Sequence, residues 1–235
     1  MKAKDVMTPN VVTVHETTAV DEIARTLLNW RISAVPVIDD KEQLVGIVSE
    51  GDLVRRVEIG SDRPPPWWLS TLADPESRAS DYVKSHGQLA RDVMSKTVVT
   101  VDEETTAAEI AQLLEENGIK RVPVLRRSTL VGIVSRANLL HGLAAARSLG
   151  APSREQDRKL RASILNRLHN ESDINLLSLN VTVADGVAHL WGTAMSEAQK
   201  EAIRIAAEST PGVSRVSDHL TILPQLYRQW VTHNQ

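Results

Sequence analysis

Leu44-Val45-Gly46-Ile47-Val48-Ser49 returns, residue for residue, as Leu130-Val131-Gly132-Ile133-Val134-Ser135. Working outward, Asp5-Val6-Met7 with Val11-Val12-Thr13-Val14 is answered by Asp92-Val93-Met94 with Val98-Val99-Thr100-Val101. Ile32-Ser33-Ala34-Val35-Pro36-Val37 is answered by Ile119-Lys120-Arg121-Val122-Pro123-Val124. The register slips once, where Asp39-Asp40-Lys41-Glu42-Gln43 faces the shorter Arg126-Arg127-Ser128-Thr129. A hairpin loop tolerates such an insertion and a strand does not, because a one-residue slip turns every side chain to the other face. Two copies of one small unit pack together when neither buries its apolar face alone, so a cleft between them is the first place to look for function.

Each copy reads strand, helix, strand, strand, helix. Val11–Val14 is a β-branched run, and Val20, Ile23, Ala24, Leu27 and Leu28 follow at the spacing of one helix face. Val35–Ile38 and Leu44–Val48 flank a charged turn, and Pro36, lacking a backbone donor, suits a strand's start or an edge. Gly51–Arg56 opens a closing helix. A third unit follows. Leu160, Ile164, Leu165 and Leu168 form a helical stripe, and Ser178–Val183 and Val187–Gly192 are strands about an Asp185-Gly186 turn. Ser196 opens a second helix to Ser209, broken by Pro211-Gly212, and Val213–Leu223 closes as a strand. The expected class is α+β: two β-α-β-β-α repeats packed as one module, with a small C-terminal α+β domain. The expected boundaries are 1–57, 91–143 and 155–223, separated by segments 58–90 and 144–154 and followed by a tail at 224–235. Gly142–Gly150 reads as a small-residue linker.

The 58–90 segment holds Arg63-Pro64-Pro65-Pro66-Trp67-Trp68, a stiff extended run ending in two tryptophans in an aromatic-poor chain. Those two rings need cover, whether by packing, a second subunit or a ligand. Net charge is −3, so no global basic field favours nucleic acid. With no cysteine, disulfides, thiolate catalysis and cysteine zinc sites are excluded. The seven histidines lack ligand spacing and read as surface or packing residues. Gly46–Gly51 is one residue too long for a nucleophile elbow, and no phosphate-loop, dinucleotide or His-Glu-x-x-His motif occurs. No catalytic or metal-binding residue is therefore assigned. No apolar run approaches the ~18 residues that span a bilayer. The first residues carry no apolar export core either, so a cytoplasmic location is expected.

Ser49-Glu50-Gly51-Asp52 has a plain structural explanation: a serine cap with a carboxylate three residues on satisfies orphan amides at a helix start. The same carboxylate, beside a cleft, can also accept both hydroxyls of a ribose, while the helix start favours phosphate. Ser135-Arg136-Ala137-Asn138 departs by offering an amide, one neutral acceptor in place of two charged ones. Lys120, Arg121 and Arg136 add positive charge where the first copy has Ser33, Ala34 and Glu50.

The Asp-Val-Met opening, the Val-Pro-Val turn and Gly-Ile-Val-Ser-x-x-Asp/Asn, each present twice and in order, resemble paired cystathionine-β-synthase (CBS) domains, a Bateman module. Val183-x-Asp-Gly-x-Ala-x-Leu-x-Gly192 with Pro211-Gly-Val-x-x-Val216 resembles a BON domain. The first resemblance implies an adenosine nucleotide (AMP, ADP or ATP) as regulatory ligand and a homodimer formed through the pair. It implies that Asp52 meets the ribose, that Val12 and Val99 present backbone to adenine, and that Ser33, Ala34, Lys120 and Arg121 line the pocket. Ser49, Ser135, Arg136 and Asn138 complete the expected nucleotide set. The second resemblance implies a protein or lipid partner. Two functions follow as expectations: a non-enzymatic nucleotide sensor coupled to a BON-mediated or dimer-mediated interaction, or a lipid- or envelope-associated stress protein with the CBS pair as scaffold.

Overall fold

The computed structural model describes residues 1–54, 82–145, 155–170 and 179–222. Trp67, Trp68 and the proline run lie outside them, as do most of the expected linker and the C-terminal tail. The chain divides into two compact units, Val12–Val98 and Met1–Val11 with Val99–Gln235.

In the first unit β1 (Val14–His15) lies parallel to β2 (Ala34–Ile38), which pairs antiparallel with β3 (Leu44–Ser49). The expected Val11–Val14 strand thus shrinks to a two-residue strand. Helix α2 (Val20–Trp30) crosses between β1 and β2, burying Val20, Ile23 and Leu27. The helix ends at Arg31 in the left-handed region (φ 50°). The core of Ile23, Val35, Val37 and Val48 is completed by Ala90, Val93 and Met94, which open the second repeat in sequence. Ala90 and Val93 lie on a short helix, called α4 below (Ala90–Val93). A Cβ on Gly46 would meet the Met94 side chain, so only glycine lets this segment reach β3.

The second unit repeats the device with the other copy. Strand β4 (Val101–Asp102) lies parallel to β5 (Arg121–Arg126), which pairs antiparallel with β6 (Thr129–Ser135), and α5 (Ala107–Glu116) crosses between β4 and β5. Its core of Ile110, Leu114, Val122, Val124 and Val134 is closed by Ala3 and Val6 of α1 (Ala3–Val6) and by Met7 just after it, at the chain start. Gly132 faces Met7 as Gly46 faces Met94. Each Asp-Val-Met opening therefore packs in the core of the other repeat, an exchange that linear order conceals. The insertion lies in the hairpin, as its polarity suggests. Asp39 Oδ1 ties the longer loop by accepting from Lys41 and Gln43 amides at 2.9 and 2.8 Å. Arg127 and Ser128, both with positive φ, make the shorter one.

Helix α6 (Arg136–Ala145) carries Gly142 inside it, not in a linker. The space for a Gly142 side chain is filled by Met1 and Val6, so this glycine seats α1 against α6. The C-terminal domain has a sheet in the order β7 (Leu179–Ala184), β8 (Val187–Ala194), β9 (Arg215–Ile222), with β7 antiparallel and β9 parallel to β8. Helices α7 (Glu155–Asn170) and α8 (Glu197–Glu208) bury Ile164, Leu168, Ile203 and Ala207 against Val181, Ala188 and Leu190. Ser196 caps α8 by accepting from the Gln199 amide at 3.0 Å. Asp157 of α7 holds the hairpin turn, accepting from Asp185 N (3.3 Å) and Gly186 N (3.1 Å).

Candidate functional site

In the first repeat β3 runs directly into α3 (Glu50–Val54). One carboxylate oxygen of Asp52, Oδ2, accepts from the Ser49 amide at 2.8 Å and the Ser49 hydroxyl at 2.6 Å. The other, Oδ1, has Lys84 Nζ 3.9 Å away. The Asp52 side chain keeps 17% of its surface exposed, enough for a solute to reach it. Glu50 N donates to Ser33 O at 3.0 Å, which draws the Ser33-Ala34 strand start to the same junction. Val12 is half-buried against the core just before β1. Four expected residues, Ser33, Ala34, Ser49 and Asp52, thus belong to one β-α corner, and Val12 lies in the same unit ahead of β1.

The second repeat builds the same corner from different chemistry. Arg136 N donates to Lys120 O at 3.1 Å, and Asn138 Oδ1 accepts from Ser135 N (2.8 Å) and Ser135 Oγ (2.6 Å). Up to this point the amide imitates the carboxylate of Asp52. Its nitrogen then does what a carboxylate cannot, donating to Val6 O and to Thr8 Oγ1, both at 3.1 Å. Asn138 is 5% exposed, with both lone pairs and both N–H groups engaged. Sequence reading counts it among the nucleotide contacts, whereas its amide here fixes the chain start to α6. Lys120 and Arg136 are exposed and Arg121 and Val99 are half-buried. Arg136 Nη2 also donates to Ile119 O at 3.2 Å.

A second constellation, absent from the expected set, joins the C-terminal domain to repeat 2. The buried guanidinium of Arg161 donates from Nε to Val181 O (2.6 Å), from Nη1 to Lys4 O (2.8 Å) and from Nη2 to Met7 O (2.7 Å). Burial pushes it down to about 10, opposed by nearby Asp5, so it stays charged at neutral pH. Arg158 Nε donates to Asp5 Oδ1 at 2.9 Å, while Asp5 Oδ2 accepts from Lys2 N at 2.7 Å and so caps α1. The sequence held a signal: Arg161, Ile164 and Leu168 fall at i, i+3 and i+7, placing a charge inside an apolar stripe.

A repeated β-α-β-β-α unit with an acid or amide at each last strand-to-helix corner defines a CBS pair, and the family comparison agrees. The CBS domain model matches residues 3–59 and 90–145, and the BON domain model matches 156–224. The chain belongs to the CBS-domain family, as a CBS pair followed by a BON domain. An uncharacterised protein of Methanocaldococcus jannaschii is 30% identical over 154 residues, covering 61% of this chain and 91% of that protein. The chloroplastic CBS domain-containing protein CBSX1 of Arabidopsis thaliana is 35% identical over 133 residues, 54% of this chain and 56% of its own length. The chain thus spans little more than half of that relative. Among solved structures, CBSX2 in complex with AMP shares 29% identity at a TM-score of 0.53, covering 61% of this chain and 96% of that one. No described helix is long and apolar enough to cross a membrane, and no described group of three or more His, Asp or Glu could hold a metal ion.

Proposed function

We propose that this chain is a non-enzymatic regulatory protein whose CBS pair binds an adenosine nucleotide (AMP, ADP or ATP) and conveys its occupancy to the BON domain. The observation that carries this reading is the Asp52 corner. One oxygen is committed to Ser49, and the other, Oδ1, faces only a distant lysine among the described hydrogen-bonding and ion-pair contacts. A carboxylate held in this way by its own helix start can receive a ribose diol without reorganising. The likeness to CBSX2, solved in complex with AMP, supports the adenosine assignment.

In this assignment Asp52 takes the ribose hydroxyls, with Val12, Ser33 and Ala34 around the base. At the corresponding corner of repeat 2, taken by itself, Lys120, Arg121 and Arg136 are the cations offered to a phosphate, with Val99 and Ser135 in the same repeat. Asn138 we assign to holding Val6 and Thr8, because a ribose would have to displace hydrogen bonds already made. A direct test compares AMP with 2′-deoxy-AMP and 3′-deoxy-AMP by calorimetry. Loss of either hydroxyl is expected to weaken binding by about tenfold, the effect of roughly 1.4 kcal/mol. Equal affinities for all three would remove Asp52 from the ribose.

A further inference from the structure

The face of the BON sheet turned away from α7 and α8 carries a run of stacked rings. Trp191 of β8 stacks with His219 of β9 at 3.9 Å between centroids and 8° between planes. It stacks also with His141 of α6 at 4.4 Å and 6°. His189, two residues earlier on β8, lies 6.1 Å from Trp191 and 5.8 Å from His219. His141 belongs to repeat 2 and the other three rings to the BON domain, so this stack lies on the seam between them, alongside the Arg158 and Arg161 contacts to the chain start. Trp191 Nε1 donates to Thr182 Oγ1 at 3.0 Å and His219 Nε2 meets Ser217 Oγ at 2.9 Å, but other polar groups at the stack are unserved. Asn180, opposite Trp191 in register and 4% exposed, has neither amide atom hydrogen-bonded among the described residues. The same holds for the buried Nδ1 atoms of His141 and His189.

We propose that the His141–Trp191–His219 stack, with His189, is a proton-released catch that holds the BON sheet on repeat 2 at neutral pH and lets it swing away on acidification. Neutral imidazoles stack on an indole as nearly apolar plates, but several crowded imidazoliums repel one another and must be desolvated. A cation–π attraction to Trp191 offsets part of that cost but removes neither the burial of the charges nor their mutual repulsion. No carboxylate on the described ring-bearing elements is left to compensate. On α5, which packs against α6, Glu109 accepts from the Thr106 cap, Glu116 accepts from Gln112 and Glu115 is exposed. Helix α6 contains no acid, and β7 and β8 add no ionisable group besides His189. On β9, Arg215 adds positive charge and Asp218 is taken by Lys200 at 3.4 Å. On α1, Lys4 pairs with Glu104 and Asp5 with Arg158.

Burial first, and His219 second, hold His141 and His189 below the ordinary histidine value, with Arg215 adding to the effect at His189. The sign follows from that direction. Opening takes up protons, so the catch is fully closed above about pH 6.5 and weakens as pH falls below it. His141 and His189 each raise the open-to-closed ratio by up to about tenfold per pH unit, until the closed-state value is passed.

The chain lacks cysteine, so Ala144→Cys on α6 and Ala198→Cys on α8 give one pair of spin labels in the full-length protein. At pH 8 a single narrow inter-label distance is expected, with a second, longer population growing from pH 6.5 to 5 while far-ultraviolet circular dichroism holds constant. His141→Phe with His189→Phe keeps rings in the stack without their protons and should remove the longer population. If that double variant loses its dichroism at pH 8, His141→Phe alone should halve the pH-dependent population or better. An unchanged distance distribution across this range overturns the catch. So does a change that persists in the folded phenylalanine variant, or one that appears only together with loss of dichroism.

Discussion

Asp52→Ala removes the acceptor of both Ser49 hydrogen bonds together with the charge that would meet a ribose. Two effects should separate. Loss of the cap costs about 1 kcal/mol of stability, read as a modest fall in melting temperature. Loss of the charged acceptor costs roughly 1.5–3 kcal/mol of nucleotide affinity, read by calorimetry. A melting shift with undiminished affinity would make Asp52 a helix cap and nothing more. Asn138→Asp gives the opposite sign from what the sequence suggests. By sequence it restores the ribose-binding acid; in the folded protein it sets a carboxylate oxygen against Val6 O, where an N–H now donates at 3.1 Å. The expected result is a loss of about 1–3 kcal/mol in denaturant unfolding near neutral pH, with recovery at acidic pH as the new carboxyl is protonated. An aspartate variant as stable as the parent at pH 7 would contradict the role given to Asn138. Asparagine in place of aspartate was legible in the sequence. The acceptors of its N–H groups, 132 and 130 residues away, were not.

Strands, helices and hairpins were readable because their apolar periods are local. The elements that sequence misplaced are those whose surroundings come from elsewhere in the chain. Val11–Val14 has the composition of a strand, yet only Val14 and His15 pair with β2. Gly142 resembles a linker glycine until Met1 and Val6 arrive against it. Helix α7 shows the same limit: its stripe of Ile164 and Leu168 predicted the core, while the role of Arg161 depends on carbonyls from residues 4, 7 and 181. Arg161→Met retains much of the apolar bulk but strands two buried carbonyls and one half-buried one, and is expected to cost roughly 3–5 kcal/mol. Scanning calorimetry should show the melting of the C-terminal domain falling and separating from that of the CBS repeats. A single transition at the parental temperature would mean that Arg161 does not join the two domains. Gly142→Leu should likewise destabilise the contact of α1 with α6, since the methionine and valine there leave no room for a branched side chain.

Across the whole chain, repeat 2 and the BON domain share the N-terminal segment as a common support. Asn138 holds Val6 and Thr8 from the CBS side, and Arg161 holds Lys4 and Met7 from the BON side. By sequence the two domains are joined by a small-residue linker; the hydrogen bonds also give them one shared segment to act through. A nucleotide that favours one arrangement of that segment can shift BON exposure only by its differential affinity, typically 1–3 kcal/mol, and the reverse coupling has equal size. Removing residues 155–235 should therefore change nucleotide affinity by between about fivefold and a hundredfold, with identical affinities denying the coupling. The central claim comes before coupling: that the CBS pair binds an adenosine nucleotide at all. Calorimetric titration of the full chain with AMP and with ATP tests it most directly. A ligand of about two dozen heavy atoms at roughly −0.3 kcal/mol each predicts a saturable heat with a dissociation constant near 10 μM for at least one of them. Millimolar AMP and ATP producing neither heat nor a rise in melting temperature would contradict it.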